Sequence, residues 1–230
     1  MNDYSVSNVI KEINNNQEIA QNIDISNVVI HKNYQFSLFA SEFPLFSLKR
    51  DKKTSEYKFT NKNGITITIN STKLGRATMQ DADLLLYFIT RIMQLIYEDK
   101  IVARRITFTC YDYLKRIGRV MSNSTYAQVI KSLQRLSSMT LRMNKKEGTE
   151  FYLIDSFYCY KNEATRKLEK IEVALSDRLY NEVVSKKIIT INLNYLKLKP
   201  LEKKIYQLAK IHCRRDLSNT EFTLDYFIKK

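Results

Sequence analysis

Glycine and proline are scarce in this sequence, with four and two copies among 230 residues. This scarcity argues against long linkers and low-complexity segments, and it favours regular helices and strands. No apolar run is long enough to cross a bilayer, and the first residues lack the basic-then-apolar pattern of a signal peptide. We therefore predict a cytoplasmic protein with real apolar cores and no membrane contact.

Cysteine and histidine are also rare. The three cysteines, Cys110, Cys159 and Cys213, form neither a CxxC pair nor a disulfide framework, so they are predicted to be free thiols in a reducing compartment. His31 and His212 are too far apart in the sequence to suggest the metal-binding pair of a nicking initiator with a tyrosine nucleophile. None of the four glycines lies in a GxxxxGK phosphate-binding loop. The sequence thus predicts no enzyme, no cofactor and no metal site.

Positive charge is what the sequence has in excess: the formal net charge is +14. Residues 1–40 carry two basic and four acidic residues, a sum of 2 − 4 = −2, so the remainder carries +16. A basic body indicates a polyanionic partner such as nucleic acid. Residues 1–40, rich in Asn, Gln, Ser and Ile, are predicted to be a partly disordered leader.

Two elements are predicted after this leader. Strand-like residues flank the sequence NKNG at 61–64, and an Asn-Gly turn between strands predicts a β-hairpin. Residues 78–99 have apolar positions at helical spacing, and Thr78 precedes Asp81 at the spacing of a capping box. Asp81 and Asp83 could be a metal pair, but capping and the helix dipole explain both acids without a metal.

Residues 105–160 have the order of elements of a winged helix-turn-helix. A strand-like segment at 105–108 precedes a short helix at 111–117, a glycine break and a longer amphipathic helix at 124–137. Two further strands flank the turn KKEG at 145–148, which makes a basic hairpin. Many proteins with this order place the second helix in the DNA major groove and the hairpin beside it.

The predicted DNA-binding residues lie on the outward face of that second helix, in the hairpin and on a later helix. Gln and Arg can donate to base edges, while Lys, Ser and Thr can hold phosphates. The set is Arg119, Thr125, Gln128, Lys131, Ser132, Arg135, Arg142, Lys145, Lys146, Lys203, Lys204, Arg214 and Arg215. A solvated helix face would carry similar residue types, so the helix pattern alone does not show whether these residues contact DNA.

The opening of this unit is repeated near the C-terminus. Pro200 begins a helix, where proline is tolerated at the first position, and residues 222–224 then resemble residues 108–110. The residues of this helix predicted to face inward are Leu201, Ile205, Leu208, Ala209 and His212. We predict an α+β fold with tandem winged helices. Residues 41–195 form a complete first domain with an added N-terminal β-hairpin, and residues 196–230 are the start of a truncated second domain.

Six blocks of sequence can be compared with known protein families. Their order and spacing together are more specific for one family than any single block is. They are FSLKR at 46–50, GRATMQDAD at 75–83, RITFTCYD at 105–112, FYLIDS at 151–156, LSDRLYN at 175–181 and LNYLKLKPLEKKIYQLAKIHC at 193–213. On these blocks, which cover roughly residues 43–230, the chain resembles the plasmid replication initiators of the replication-initiator-protein-A (RepA-like) family.

The resemblance implies a protein that binds repeated double-stranded DNA sites in a plasmid origin and helps to open adjacent A·T-rich DNA. It also implies that the host replication initiator and the replicative helicase are partners. Related initiators pair two winged-helix domains, and some use the first for homodimerisation and autorepression. The family continues beyond the segment 222–230, whereas this chain does not.

Two alternatives stay open at the level of the sequence. A winged-helix transcriptional repressor would share the DNA-binding chemistry but differ in its partner and in the arrangement of its sites. A dimerisation or interaction scaffold would bind little DNA of its own. A steep loss of duplex affinity with salt would separate the DNA-binding alternatives from the scaffold, because it reports phosphate contacts.

Overall fold

The structure is a computed structural model that describes residues 22–29, 33–50, 56–61, 63–144 and 150–212. Within these ranges the fold is mixed α+β. Its strands are β1 (Ile23–Asp24), β2 (Tyr34–Ser37), β3 (Glu56–Thr60), β4 (Thr66–Asn70), β5 (Arg105–Phe108), β6 (Thr140–Met143), β7 (Glu150–Phe151), β8 (Ile154–Lys161), β9 (Leu168–Leu175) and β10 (Ile188–Ile191). Its helices are α1 (Leu38–Glu42), α2 (Ala82–Tyr97), α3 (Cys110–Arg116), α4 (Asn123–Ser138), α5 (Asp177–Val184), a 3-10 helix (Leu193–Lys197) and α6 (Pro200–His212).

The first sheet has the strand order β1–β5–β9–β8. β1 runs parallel to β5, while β9 is antiparallel to both β5 and β8. β5 and β9 turn Ile106, Phe108, Ile171 and Val173 into the core, where all four are fully buried. β8 and β9 are consecutive and form a hairpin whose turn lies at residues 162–167.

The hairpin predicted around the Asn-Gly turn is confirmed, because β3 and β4 pair in antiparallel register. Gly64 has a φ of 75°, a left-handed conformation that glycine adopts without a Cβ clash. β4 also pairs with β6, with Ile69 opposite Leu141, and β6 pairs with β7. The hairpin predicted as a wing therefore joins the N-terminal hairpin in one four-stranded sheet, β3–β4–β6–β7.

The predicted return strand of this second hairpin differs from the structure. The sequence predicts a single strand after the turn at 145–148, but β7 ends at Phe151, and Ile154 begins β8 in the first sheet. The break occurs because Leu153 and Ile154 are buried in the core, whereas β7 follows the edge of the other sheet. The turn itself, including Lys145 and Lys146, lies outside the described residues.

A third, two-stranded sheet pairs β2 with β10, so Tyr34 lies opposite Ile191. Tyr34, Phe36 and Ile25 all belong to the hydrophobic core. Residues 22–29 and 33–40 of the segment predicted to be a partly disordered leader are thus described and contribute to the core, and the leader itself stays a prediction. Apolar side chains at alternating positions of a short strand explain this, since they can pack inward even in a polar sequence.

Helix α2 is the centre of the core. Every side chain from Ala82 to Met93 is buried, as expected for a helix that is covered on all sides. The helix begins at Ala82 rather than at Thr78; the Thr78 N–H donates to the Asp81 carboxylate at 2.7 Å, which preserves one hydrogen bond of the predicted cap. Tyr87 and Phe88 of this helix pack against β5 and α3 through ring contacts.

Helix α6 faces the core with a different side from the predicted one. Leu201 and Ile205, predicted to face inward, are 47 % and 48 % exposed, and His212 is also exposed. The helix instead buries Lys203, Lys204, Gln207 and Leu208 against the rest of the fold. The predicted domain boundary at residue 195 stays a prediction, as do the tandem winged helices.

Two of the predicted free thiols are described: Cys110 is buried and Cys159 is half-buried, and neither forms a disulfide. Burial raises the pKa of Cys110 to about 12, so its thiol is unreactive at neutral pH. No helix in the described ranges has the length and apolar character needed to cross a membrane.

Candidate nucleic-acid interface

Helix α3 is followed, after residues 117–122, by α4, whose N-terminal end is firmly capped. Ser122 is the N-cap of α4 and accepts a hydrogen bond from the Thr125 N–H at 3.2 Å. The Thr125 hydroxyl accepts a bond from the Ser122 N–H at 2.9 Å, which completes a capping box. Thr125 was predicted to contact DNA; it is half-buried, and its hydroxyl also bonds to the Val120 carbonyl. Its side chain fixes the start of α4.

The apolar stripe predicted for α4 is confirmed. Val129, Leu133 and Leu136 are buried, and Tyr126 and Ile130 pack against the core from half-buried positions. The opposite face is open to solvent and contains two of the predicted contact residues. Its exposed members are Ser124, Ala127, Gln128, Lys131 and Gln134. We call this the α4 face. Lys115 on α3 and Val120, which precede α4 in the sequence, also have exposed side chains.

The segment around the α4 face has a charge pattern that sequence reasoning missed. Residues 113–146 include eight basic residues and no acidic one. A run of 34 residues without a carboxylate leaves the exposed lysines of α3 and α4 without an acidic neighbour in the same segment. Such a one-sided surface favours an anionic partner over a solvated, charge-balanced helix face.

Arg135 was predicted to lie on this exposed face, and that prediction is wrong. Its side chain is buried, and the guanidinium donates to both carboxylate oxygens of Asp81, from Nε at 2.8 Å and from Nη2 at 2.6 Å. Ser132, another predicted contact, is half-buried and donates to the same carboxylate. Arg135 and Ser132 lie at the edge of the apolar stripe, and their side chains point toward Asp81 at the start of α2. Neither residue therefore belongs to the α4 face.

These contacts also explain Asp81 without a metal. Burial raises the pKa of the Asp81 carboxyl, but the hydrogen bonds from Arg135, Ser132 and the Thr78 backbone outweigh it and hold the pKa below its usual value of 3.8. Asp81 is therefore charged at neutral pH and fully matched by donors. It ties the start of α2 to the middle of α4.

Lys203 and Lys204 were predicted to be exposed DNA contacts, and both are buried. The Lys203 ammonium lies 2.6 Å from a carboxylate oxygen of Asp83, an ion pair with both side chains almost fully buried. The Lys204 ammonium donates to the carbonyls of Ser41 and Phe43 at the end of α1. Burial lowers the pKa of Lys204 from 10.5 to about 7. Both lysines anchor α6 to the fold and are removed from the candidate interface.

The remaining predicted residues have different surroundings. Arg119 is half-buried beside α3, and Gln128 and Lys131 are exposed. Arg142 is exposed on β6, and its guanidinium lies 2.9 Å from the Glu150 carboxylate. Lys145, Lys146, Arg214 and Arg215 lie outside the described residues. Contact of any of these with DNA stays a prediction.

A second basic element lies at the tip of the β8–β9 hairpin. The Asn162 N–H donates to the Lys167 carbonyl at 2.9 Å, and the Arg166 N–H donates to the Asn162 carbonyl at 2.8 Å. Arg166 has a φ of 57°, so this tip is a tight, defined turn. The side chains of Lys161, Arg166 and Lys167 are exposed there. None of these three residues is in the DNA-binding set predicted from the sequence, although their clustering was a usable signal.

Comparison with known proteins decides the family. The model of the family described as replication initiator protein A matches residues 37–230. The chain belongs to this replication initiator protein A family. The predicted resemblance is thereby confirmed, and membership supports a role in the initiation of plasmid replication. A relative from Wigglesworthia glossinidia brevipalpis, named as a candidate replication protein, is 29 % identical in an alignment of 205 positions that covers 85 % of this chain and 71 % of the relative.

Two solved structures of RctB have a similar fold. A crystal structure of RctB domains 2–3 superposes with a TM-score of 0.58 at 13 % identity, covering 78 % of this chain and 70 % of that one. A selenomethionine form of domains 2 and 3 gives a TM-score of 0.56 at 13 % identity, covering 74 % and 68 %. At this identity the likeness concerns the fold alone.

Proposed function

We propose that the chain starts plasmid replication by binding repeated double-stranded DNA sites at the origin through a winged helix-turn-helix. The observation that carries this proposal is the order α2, β5, α3, α4, β8 and β9, together with the sheet order β5–β9–β8. In this arrangement α4 is the helix that enters the major groove. β6 and β7 are then an insertion between α4 and the β8–β9 hairpin.

The α4 face has the chemistry to contact bases. The Gln128 amide can form a bidentate pair with the edge of adenine, and the Lys131 ammonium can donate to guanine or to a phosphate. The adjacent Val120 side chain is apolar and 79 % exposed, and apolar groups of this kind contact the thymine methyl. Lys115 and Arg119 lie at the sides, where phosphate contacts orient a recognition helix.

The wing in this proposal is the β8–β9 hairpin, in place of the hairpin predicted at 145–148. β9 pairs directly with β5, as the returning strand of a wing must, whereas β6 pairs with β4 in another sheet. Arg166 and Lys167 at the tip would reach phosphates or the minor groove next to the segment that α4 contacts. The proposed action is binding and strand opening rather than catalysis.

Footprinting of the chain on the DNA upstream of its own gene and on the plasmid origin tests this function. Repeated protected sites at the origin are expected from an initiator. One palindromic site near the promoter would instead favour the transcriptional repressor, and both patterns together would indicate an initiator that also represses its own gene. The host initiator, the helicase and a homodimer are proposed partners, and pull-down from host extract with bound origin DNA tests them.

Two point variants connect the footprint to the proposed helix. Gln128→Ala and Lys131→Ala are exposed changes and should leave the melting temperature unchanged. Gln128→Ala should relax the preference for one base at its position, since a bidentate pair discriminates by about 1–3 kcal/mol. Lys131→Ala should reduce the slope of affinity against salt. Absence of any duplex binding at low salt would leave the interaction scaffold as the function.

A further inference from the structure

A basic loop far from α4 in the sequence lies beside the α4 face. Arg50 and Gln128, on separate elements, line one open groove of about 330 Å³. The other residues that line this groove are Leu48, Thr78, Gln80 and Pro200. Arg50 was absent from every DNA-binding set predicted from the sequence, because its segment precedes the helix-turn-helix by some sixty residues.

The loop that carries Arg50 is held in place by backbone pairing. The Ser47 N–H donates to the Ala77 carbonyl at 2.8 Å, and the Met79 N–H donates back to the Ser47 carbonyl at 3.0 Å. Ser47 and Thr78 thereby form a parallel bridge. The Ser47 hydroxyl also bonds to the backbone of Lys49. The segment up to Arg50 is thus fixed to the N-terminal end of α2, next to α4.

Two acidic residues next to Gln80 in the sequence, Asp81 and Asp83, are neutralised by other partners. Asp81 is buried and paired with Arg135, and Asp83 is buried and paired with Lys203. The Arg50 side chain is exposed on the groove rim. Its positive charge therefore adds to that of Lys131 and Lys115 instead of being cancelled by these acids.

We propose that Arg50 binds a backbone phosphate of the same DNA duplex whose bases face Gln128. A guanidinium matches the geometry of a phosphate with two parallel N–H donors, and it stays charged at any physiological pH. The contact would hold the duplex next to the N-terminal end of α2, beside Gln128 of α4. This inference rests on the proposed function, because it takes the α4 face as the DNA-binding face.

The test measures duplex affinity against salt for Arg50→Ala and Arg50→Lys. The probes are a footprinted duplex and a random-sequence duplex of equal length. Arg50→Ala should weaken both duplexes by the same factor, roughly tenfold at about 0.1 M salt, and reduce the salt slope by about one. Arg50→Lys should keep most of the slope, since it keeps the charge.

Lys100→Ala is the charge-matched control. Lys100 is exposed just after the C-terminal end of α2 and is paired with Glu98, whereas the groove lies at the other end of this 16-residue helix, about 24 Å away. The control should leave affinity and slope within error of wild type. Melting temperatures of all variants should agree, because both side chains are on the surface.

The outcomes separate this inference from the proposed function. An Arg50→Ala protein with wild-type slope overturns the inference, and the function stands if Gln128→Ala and Lys131→Ala still impair binding. If Arg50→Ala loses affinity for the footprinted duplex but keeps its affinity for the random-sequence duplex, Arg50 contacts a base and the phosphate assignment is overturned. A wild-type chain that binds neither duplex overturns both.

Discussion

Arg135 of α4 donates two hydrogen bonds to Asp81, which lies 54 residues earlier at the start of α2. Two buried charged groups thereby fix the angle between the central core helix and the helix proposed to enter DNA. The pair has an effect on stability that exposed ion pairs lack, because removing either partner leaves a charge buried without compensation.

A double-mutant cycle on this pair should show strong coupling. Arg135→Ala alone should destabilise the fold by about 3–5 kcal/mol in urea unfolding, since Asp81 would remain buried and charged. Asp81→Ala/Arg135→Ala should lose much less than the sum of the two single changes. Additive losses would mean that the two side chains do not interact in solution. The cycle also predicts that any loss of DNA binding by Arg135→Ala follows unfolding, in contrast to Lys131→Ala.

The buried Lys204 should make stability rise with pH. Burial holds its folded pKa at about 7, whereas the unfolded value is 10.5, so the unfolded chain binds more protons between these values. Stability therefore increases with pH in this window, by up to about 1.4 kcal/mol per pH unit for one proton. Urea unfolding of wild type and Lys204→Met from pH 7.5 to 9.5 measures the difference. Parallel curves for the two proteins would contradict the expected shift.

The two basic hairpins should differ in their effect on DNA binding. Arg166→Ala/Lys167→Ala at the β8–β9 tip should weaken duplex binding and reduce the salt slope by as much as about two. Arg142→Ala on β6 should change neither, because the Arg142 guanidinium is paired with Glu150. If Lys145→Ala/Lys146→Ala lowers the slope and the Arg166/Lys167 variant does not, the β6–β7 hairpin is the wing.

Val120 should confer a preference for thymine. Its carbonyl accepts a hydrogen bond from the Thr125 hydroxyl at 2.9 Å, so the backbone is fixed while the side chain projects into solvent. Uracil in place of thymine within the footprinted site removes only the C5 methyl. At the contacted position this change should lower the DNA affinity of the wild-type protein more than that of Val120→Ala. If each uracil replacement weakens binding by wild type and by Val120→Ala to the same extent, Val120 does not contribute to base recognition.

Local patterns predicted the elements of this fold well. The Asn-Gly turn at residues 61–64 specified the β3–β4 hairpin, and the apolar stripe through Leu133 gave the buried face of α4. These features depend on neighbours within a few residues. The strand β5 was likewise placed correctly, since its alternating residues precede the capping Thr109 of α3.

The errors concern charged residues whose partners are distant in the sequence. Helical spacing treats Arg135 and Lys203 as solvent-facing because it assumes that charges avoid the core, yet each neutralises an aspartate at the N-terminal end of α2. The sequence did contain a signal for these buried ion pairs. Asp81 and Asp83 lie at the N-terminal end of a largely apolar helix, and carboxylates that are buried beside such a helix need cationic partners. Which cations would serve could not be predicted, because the pairs span 54 and 120 residues.

The pairing of β2 with β10 has a consequence for how the chain folds during synthesis. β10, the strand that pairs with β2, is synthesised about 150 residues after it. Ser37, the last residue of β2, and Phe39 both hydrogen-bond to the carboxylate of Glu182, which is synthesised almost as late. At ~5–20 residues per second the ribosome needs roughly 8–30 s for that interval. Throughout it, the backbone edge of β2 that pairs with β10 has no strand partner from the same chain and can pair with other nascent chains. The β2–β10 sheet therefore cannot form before residues 188–191 are synthesised, and we expect slow codons before residue 188 to increase the demand for chaperones.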